Sequence, residues 1–141
     1  MDIHPKNQQF YLLDEFLVDI EIMDDFRRKY IDLLNSLNDV IYHQNCKESV
    51  PEIFQKLAFY TENYFVEEEL LLKNNGYPSL TVHRESHRQF IAEIVKFHEK
   101  FSQSTEGHCL DFLRLLENWF RTHLLNQDIE AVKFLKEKGV S

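Results

Sequence analysis

At 141 residues the chain has the length of one domain able to bury its own core, and 16 basic against 24 acidic residues leave a net charge of −8. That balance repels nucleic-acid backbones and anionic lipid, so neither is an expected partner. No apolar run approaches the roughly 18 residues of a membrane span, and the start, Met1-Asp-Ile-His-Pro-Lys6, lacks a basic stretch followed by an apolar one. Cytoplasm is therefore the expected compartment.

With 43% hydrophobic residues and only three Gly and three Pro, the composition predicts long helices joined by few loops. Residues 1 to about 22 mix apolar and acidic side chains without a helical period and read as an extended arm packed over a bundle. From about Asp24, Met23, Phe26/Arg27, Tyr30, Leu34, Leu37 and Ile41 recur at steps of three and four, the mark of an amphipathic helix, with Arg27 on its apolar stripe. After a polar loop at 43–48, Ser49-Val-Pro-Glu52 has the form of a capping box with Pro in the first turn, which predicts the start of a second helix. Its inner stripe is Phe54, Leu57, Thr61, Tyr64/Phe65, Glu68 and Leu71/Leu72, and Asn75-Gly-Tyr-Pro78 supplies a left-handed cap and a stop.

A third helix follows from Ser79 or Thr81 with His83, His87, Phe90, Ile94, Phe97 and Phe101 on one face, ending in 102–107. A fourth carries Leu110, Leu113, Leu116, Phe120 and His123, and a short fifth is expected over about 129–138, closed by Gly139. Four long helices with short connections predict an all-α, antiparallel up-down-up-down four-helix bundle. The expected single domain spans 1–141, with the arm at about 1–22, the bundle at about 23–126 and the C-terminal helix after it. Cys46 and Cys109 form no CxxC motif and are expected as reduced thiols, a long-range disulfide remaining open.

The inward stripes gather Arg27, Tyr64, Glu68, His83, His87, His123 and Asp128. Unpaired imidazoles and carboxylates in a bundle interior cost several kcal/mol, roughly, in lost hydration. A metal ion offsets that cost directly, and three imidazoles with two carboxylates suit iron, manganese or zinc. His83 and His87, four apart on one helix face, are spaced to hold a single ion from one side.

Taken together, His83-Arg-Glu-Ser-His87, His123-Leu-Leu-Asn-Gln-Asp128, Tyr60-Thr61, Phe65, Glu67-Glu68, Gly76-Tyr77-Pro78 and Trp119-Phe120 resemble the bacterial hemerythrins over most of the chain, about 18–135. The resemblance implies a four-helix bundle that holds a non-haem di-iron centre and binds O2. It further implies that His83, His87 and His123 serve one iron, that Glu68 and Asp128 bridge two, and that Tyr30, Phe65, Trp119 and Leu124 line the ligand pocket. The family's histidines on the first and second helices, both ligands of the other iron, fall on Arg27 and Tyr64 here.

Three outcomes follow for that second position. Arg27 extends into it and pairs with Glu68 and Asp128, leaving a mononuclear site; or Tyr64 ligates a second iron as phenolate, with Glu67, Asp24 or water completing the shell; or the site holds no metal. Three functions are open alongside these outcomes: a protein that binds or senses O2, NO or peroxide, an iron-dependent oxidase or peroxidase using Tyr64, and a regulatory module braced by a structural metal.

Overall fold

The computed structural model describes residues 10–11, 13–102 and 108–141, so residues 1–9 and Leu12 of the expected arm, and residues 103–107, lie outside it. Helix α1 spans Glu21–Tyr42, α2 Cys46–Asn74, α3 Leu80–Ser102 and α4 Cys109–Trp119. A π-helical segment, Phe120–Gln127, continues α4 directly into α5, Asp128–Glu137. No strand occurs among the described residues.

Contacts between helices give the direction of each. Along α1, Arg27 meets Leu124 and Asp128 while Tyr30 meets Leu116, so α1 and the α4 rod run oppositely. Glu69 meets both Arg84 and His87, and Phe54 packs on Phe97 and Phe101, so α2 and α3 are antiparallel as well. The result is the up-down-up-down bundle that the apolar periodicity predicts, because each amphipathic stripe can be buried only against its neighbours.

The interior is layered along the bundle axis. At one end Phe54 stacks on Phe112 at 4.4 Å, and Phe97 on Phe112 at 4.8 Å. A second aromatic layer follows, with Phe26, Tyr30, Phe65, Phe90 and Trp119 in mutual edge and stacked contacts. At the other end a separate apolar cluster, Ile20, Met23, Leu72, Ala131 and Leu135, closes the bundle with Tyr77 and Phe134 packed against it. Between the aromatic layer and this cluster lie the buried imidazoles and carboxylates.

The local signals act unevenly. Gly76 adopts φ +76°, and Tyr77 N–H returns to Leu72 C=O, the left-handed cap expected there. The capping box at Ser49 is not used: α2 begins one turn earlier at Cys46 and places Pro51 inside the helix. Pro51 has no N–H to donate, so one hydrogen bond near the helix start is missing. Helix α1 likewise starts at Glu21, about three residues before the periodic pattern. Asp24 makes this possible by accepting the backbone N–H groups of Val18 and Asp19, which fixes the end of the arm. The C-terminal helix is not set off by a loop, since Gln127 and Asp128 keep helical dihedrals.

The two cysteines depart from the expectation of free thiols. Cys46 and Cys109 are the first residues of α2 and α4, stand 6.0 Å apart at Cα, and form a disulfide. In this topology α2 and α4 run parallel, so their starts share one end of the bundle. The bridge closes a loop of 63 residues, which in the chain-entropy account stabilises the fold by about 4 kcal/mol. Cys46→Ser with Cys109→Ser is expected to lower the free energy of unfolding by roughly 2–4 kcal/mol in urea titration, while the wild type under a reductant falls to the same value.

Candidate metal centre

Each buried polar side chain of the central layer is delivered by ordinary helix geometry except one. His83 and His87 lie one turn apart on α3, and Glu68 faces them from α2. His123 and Asp128 are separated by five residues, which in a regular α-helix places them about 140° out of phase. The π segment removes that mismatch: Asp128 N–H bonds back to His123 C=O, an i→i+5 link that brings both side chains to the same face.

All five groups are withdrawn from water, with Glu68 3%, His83 2%, His87 1%, His123 1% and Asp128 0% exposed. One donor atom from each of Glu68, His83, His87 and His123 lies within 4.8 Å of all the others. Glu68 Oε1 is 2.5 Å from His83 Nε2 and 3.4 Å from His87 Nε2. Asp128 Oδ1 joins the group at 3.2 Å from His123 Nε2 and 3.5 Å from His83 Nε2. A metal bound at about 2.1 Å sets neighbouring ligands roughly 3 Å apart, so most of these separations already suit one ion. The closer Glu68–His83 contact is a hydrogen bond whose shared proton an ion would replace.

The fit to a cation rests on three orphaned atoms. His87 Nε2, His123 Nε2 and Asp128 Oδ1 are buried and have no hydrogen-bond partner, yet all belong to this one group. The outer nitrogens, in contrast, are occupied. His87 Nδ1 lies 2.8 Å from Glu69 Oε2, and His123 Nδ1 lies 2.7 Å from Ser86 Oγ and 3.1 Å from Gln127 Oε1. Outer nitrogens held and inner nitrogens bare is how imidazoles are prepared for a metal.

Electrostatics follow the same geometry. Burial alone would raise the Glu68 carboxyl, but the adjacent His83 and His87 outweigh it and hold it well below the usual carboxylate range. Burial would lower His87, but the nearby Glu68 carboxylate, with Glu69, keeps it above the ordinary imidazole value.

Arg27 reaches this layer from α1. Its guanidinium donates to Phe16 C=O at 2.6 Å, Leu124 C=O at 2.5 Å and Asp128 Oδ2 at 3.3 Å. The carboxylate it pairs with is Asp128, while Glu68 is engaged by His83. Tyr64 is turned elsewhere: its hydroxyl donates to Asp25 Oδ2, and Lys29 lies 5.8 Å from its ring. Burial, followed by the bond to Asp25, raises its pKa above the ordinary phenol value. Tyr64 and Glu67 border an open outer groove with Asp25 and Arg28, and Asp24 is spent capping the arm.

The residues expected to line a ligand pocket are packed against one another and the imidazoles. Phe65 lies flat on His87 with ring centres 3.8 Å apart, and Trp119 on His123 at 4.5 Å. Tyr30 donates its hydroxyl to Leu116 C=O, and the Leu124 carbonyl serves Arg27. An apolar groove of about 390 Å³ between α2 and α3 reaches Thr61, Phe65, Glu69 and His87.

Glu69, Ser86 and Gln127 were not legible as functional residues. Gln127 stands four before no other marker and four after His123, the one spacing that could have suggested it. Glu69 is hidden in the run Glu67-Glu68-Glu69, where only helix phase tells the inward carboxylate from its neighbours.

No protein-family model matches the chain. It is 27% identical over 125 residues to a protein named bacteriohemerythrin from Pseudomonas aeruginosa, covering 85% of this chain and 79% of that protein. A protein of the same name from Pseudomonas paraeruginosa aligns at the same identity and coverage. One from Stenotrophomonas maltophilia is 27% identical over 115 residues, covering 82% and 74% of the two chains. The chain is thus similar in sequence, over most of its length, to proteins named bacteriohemerythrin.

Proposed function

We propose that the chain is a hemerythrin-like, non-haem iron protein that binds or senses O2 or a related small ligand such as NO or peroxide, at a centre holding one iron. Glu68, His83, His87, His123 and Asp128 hold the ion, and zinc or manganese fits the same donors less specifically. What carries the reading is the convergence of three buried, partnerless donor atoms, His87 Nε2, His123 Nε2 and Asp128 Oδ1, beside Glu68. Iron would supply reversible binding of, and electron exchange with, a small ligand.

The single-iron form is supported by the contacts of the two replaced positions. Arg27 brings a fixed positive charge to Asp128, where a second cation would otherwise be required. Tyr64 gives its proton to a hydrogen bond with Asp25, and the resulting stabilisation of the neutral phenol opposes ligation as phenolate. The hydrogen bond from Tyr64 to Asp25 weighs against the oxidase or peroxidase reading, which needs Tyr64 at the metal. One iron supplies one electron, which suits sensing better than carriage that uses two.

No described helix is long and apolar enough to cross a membrane. A cytoplasmic setting belongs to the same proposal, and the Cys46–Cys109 bridge is then the part on which that compartment's thiol pool would act.

Elemental analysis of the purified chain is expected to give one iron per polypeptide and no tyrosinate-to-iron band; two irons would overturn the single-iron form. Arg27→His combined with Tyr64→His should raise the uptake towards two irons, whereas either change alone should fall short of that. Alkaline titration followed at the phenolate absorbance offers an independent check. Comparison of the wild type with Tyr64→Phe should assign Tyr64 a pKa above 10.0, and Asp25→Asn, by removing the adjacent negative charge, should bring it down.

A further inference from the structure

Of the three central imidazoles, His87 is the one whose outer nitrogen meets a charged group among the contacts described. Its Nδ1–H donates to Glu69 Oε2 at 2.8 Å, while the other oxygen of the same carboxylate accepts from Arg84 Nε at 3.2 Å. Two partners on α3, three residues apart, therefore fix both oxygens of a side chain that comes from α2. Phe65, one turn before Glu69, lies against the face of the same ring at 3.8 Å and within 6° of parallel. One turn of α2 thus holds the His87 ring by its edge and by its face.

A carboxylate cannot donate, so its contact with Nδ1 dictates where the imidazole proton resides. With the proton on Nδ1, the neutral ring presents its lone pair from Nε2, and that atom is buried, unpartnered and directed at Glu68 and the other donors. His123 is held differently: Ser86 Oγ and Gln127 Oε1 are neutral partners, and Trp119 supplies the stacked face. The negative charge behind His87 makes it the stronger electron donor of the two and favours the more highly charged state of whatever metal it meets.

We propose that Glu69 is a positioning residue of the metal centre, fixing the tautomer and plane of His87 and strengthening it as a ligand, with Arg84 holding the carboxylate in place. This rests on the reading that the cluster binds iron. Glu69 reaches the metal only through His87, at the inner end of the groove between α2 and α3.

The test uses the full chain with Glu69→Ala, Glu69→Gln and, as a control for loss of one acidic charge in the same groove, Glu62→Ala. Ferrous iron is titrated anaerobically against a competing chelator, and the ferric/ferrous midpoint potential of the loaded protein is measured. Glu69→Ala is expected to weaken binding by about 10- to 100-fold and to move the potential upward. Glu69→Gln keeps an acceptor for Nδ1–H without the charge, so it should lose less affinity and still move the potential upward. Glu62→Ala should leave both at the wild-type value. Nitrogen NMR of the metal-free protein at high pH should show the Nδ1–H tautomer of His87 in the wild type and a mixture in Glu69→Ala. Wild-type affinity, potential and tautomer in the Glu69 variants would overturn the proposal while leaving the metal reading intact. A wild type that takes up no iron would instead remove the reading on which the proposal rests.

Discussion

Burying two carboxylates and three imidazoles in one layer sets the terms for the rest of the bundle, because every inward atom of that layer has given up water. Left uncompensated, each such group costs on the order of a few kcal/mol, a large share of a domain's net stability. The surrounding structure deals with the problem in two ways. Outward-facing atoms are satisfied by protein: Glu69 for His87, Ser86 and Gln127 for His123, Arg27 for Asp128. Three inward-facing atoms, His87 Nε2, His123 Nε2 and Asp128 Oδ1, are left without a partner and close together, an arrangement that suits a cation. The aromatic layer on one side and the apolar cluster on the other then keep the site dry, so that each charge acts at short range with little screening.

Arg27 gives this arrangement its particular balance. It is 2% exposed, and two of its contacts are to the backbone carbonyls of Phe16 and Leu124. Phe16 belongs to the arm and Leu124 to the π segment, so a single guanidinium fastens the chain's beginning to the rod that carries His123 and Asp128. Of the two buried carboxylates, Asp128 is the one that faces this permanent positive charge, while Glu68 is engaged by His83.

Much of the fold was legible because it depends on one-dimensional patterns. Apolar residues at steps of three and four gave the helices, and Gly76 and Gly139 marked ends at which the backbone does turn left-handed. The start of α2 was missed because a capping box is a local preference, whereas the pull of the core and the neighbouring Cys109 is not local. The disulfide itself follows from topology: sequence separation says nothing of two helix starts that share an end. That His83 and His87 share one inward helix face was readable from their spacing. The partner of Tyr64 was not, because its relation to Glu68 fixes a helix face but not what competes for the hydroxyl, and the competitor, Asp25, lies on another helix. Glu69 was obscured for a related reason, as adjacent glutamates differ in role only through the neighbours that folding supplies.

The π segment ties the chemistry of the centre to the closure of the bundle's end. It amounts to one residue more than a regular helix would need between Trp119 and Asp128, and everything after it inherits the resulting phase. Were the rod shortened by that residue, α5 would rotate by about 100° relative to α4. Ala131 and Leu135, both now fully buried against Ile20, Met23 and Leu72, would be carried away from that contact, along with Asp128 from His123. The same extra residue therefore encodes the angle between His123 and Asp128 and a packing register at once, and a chain of this design cannot lose it by degrees.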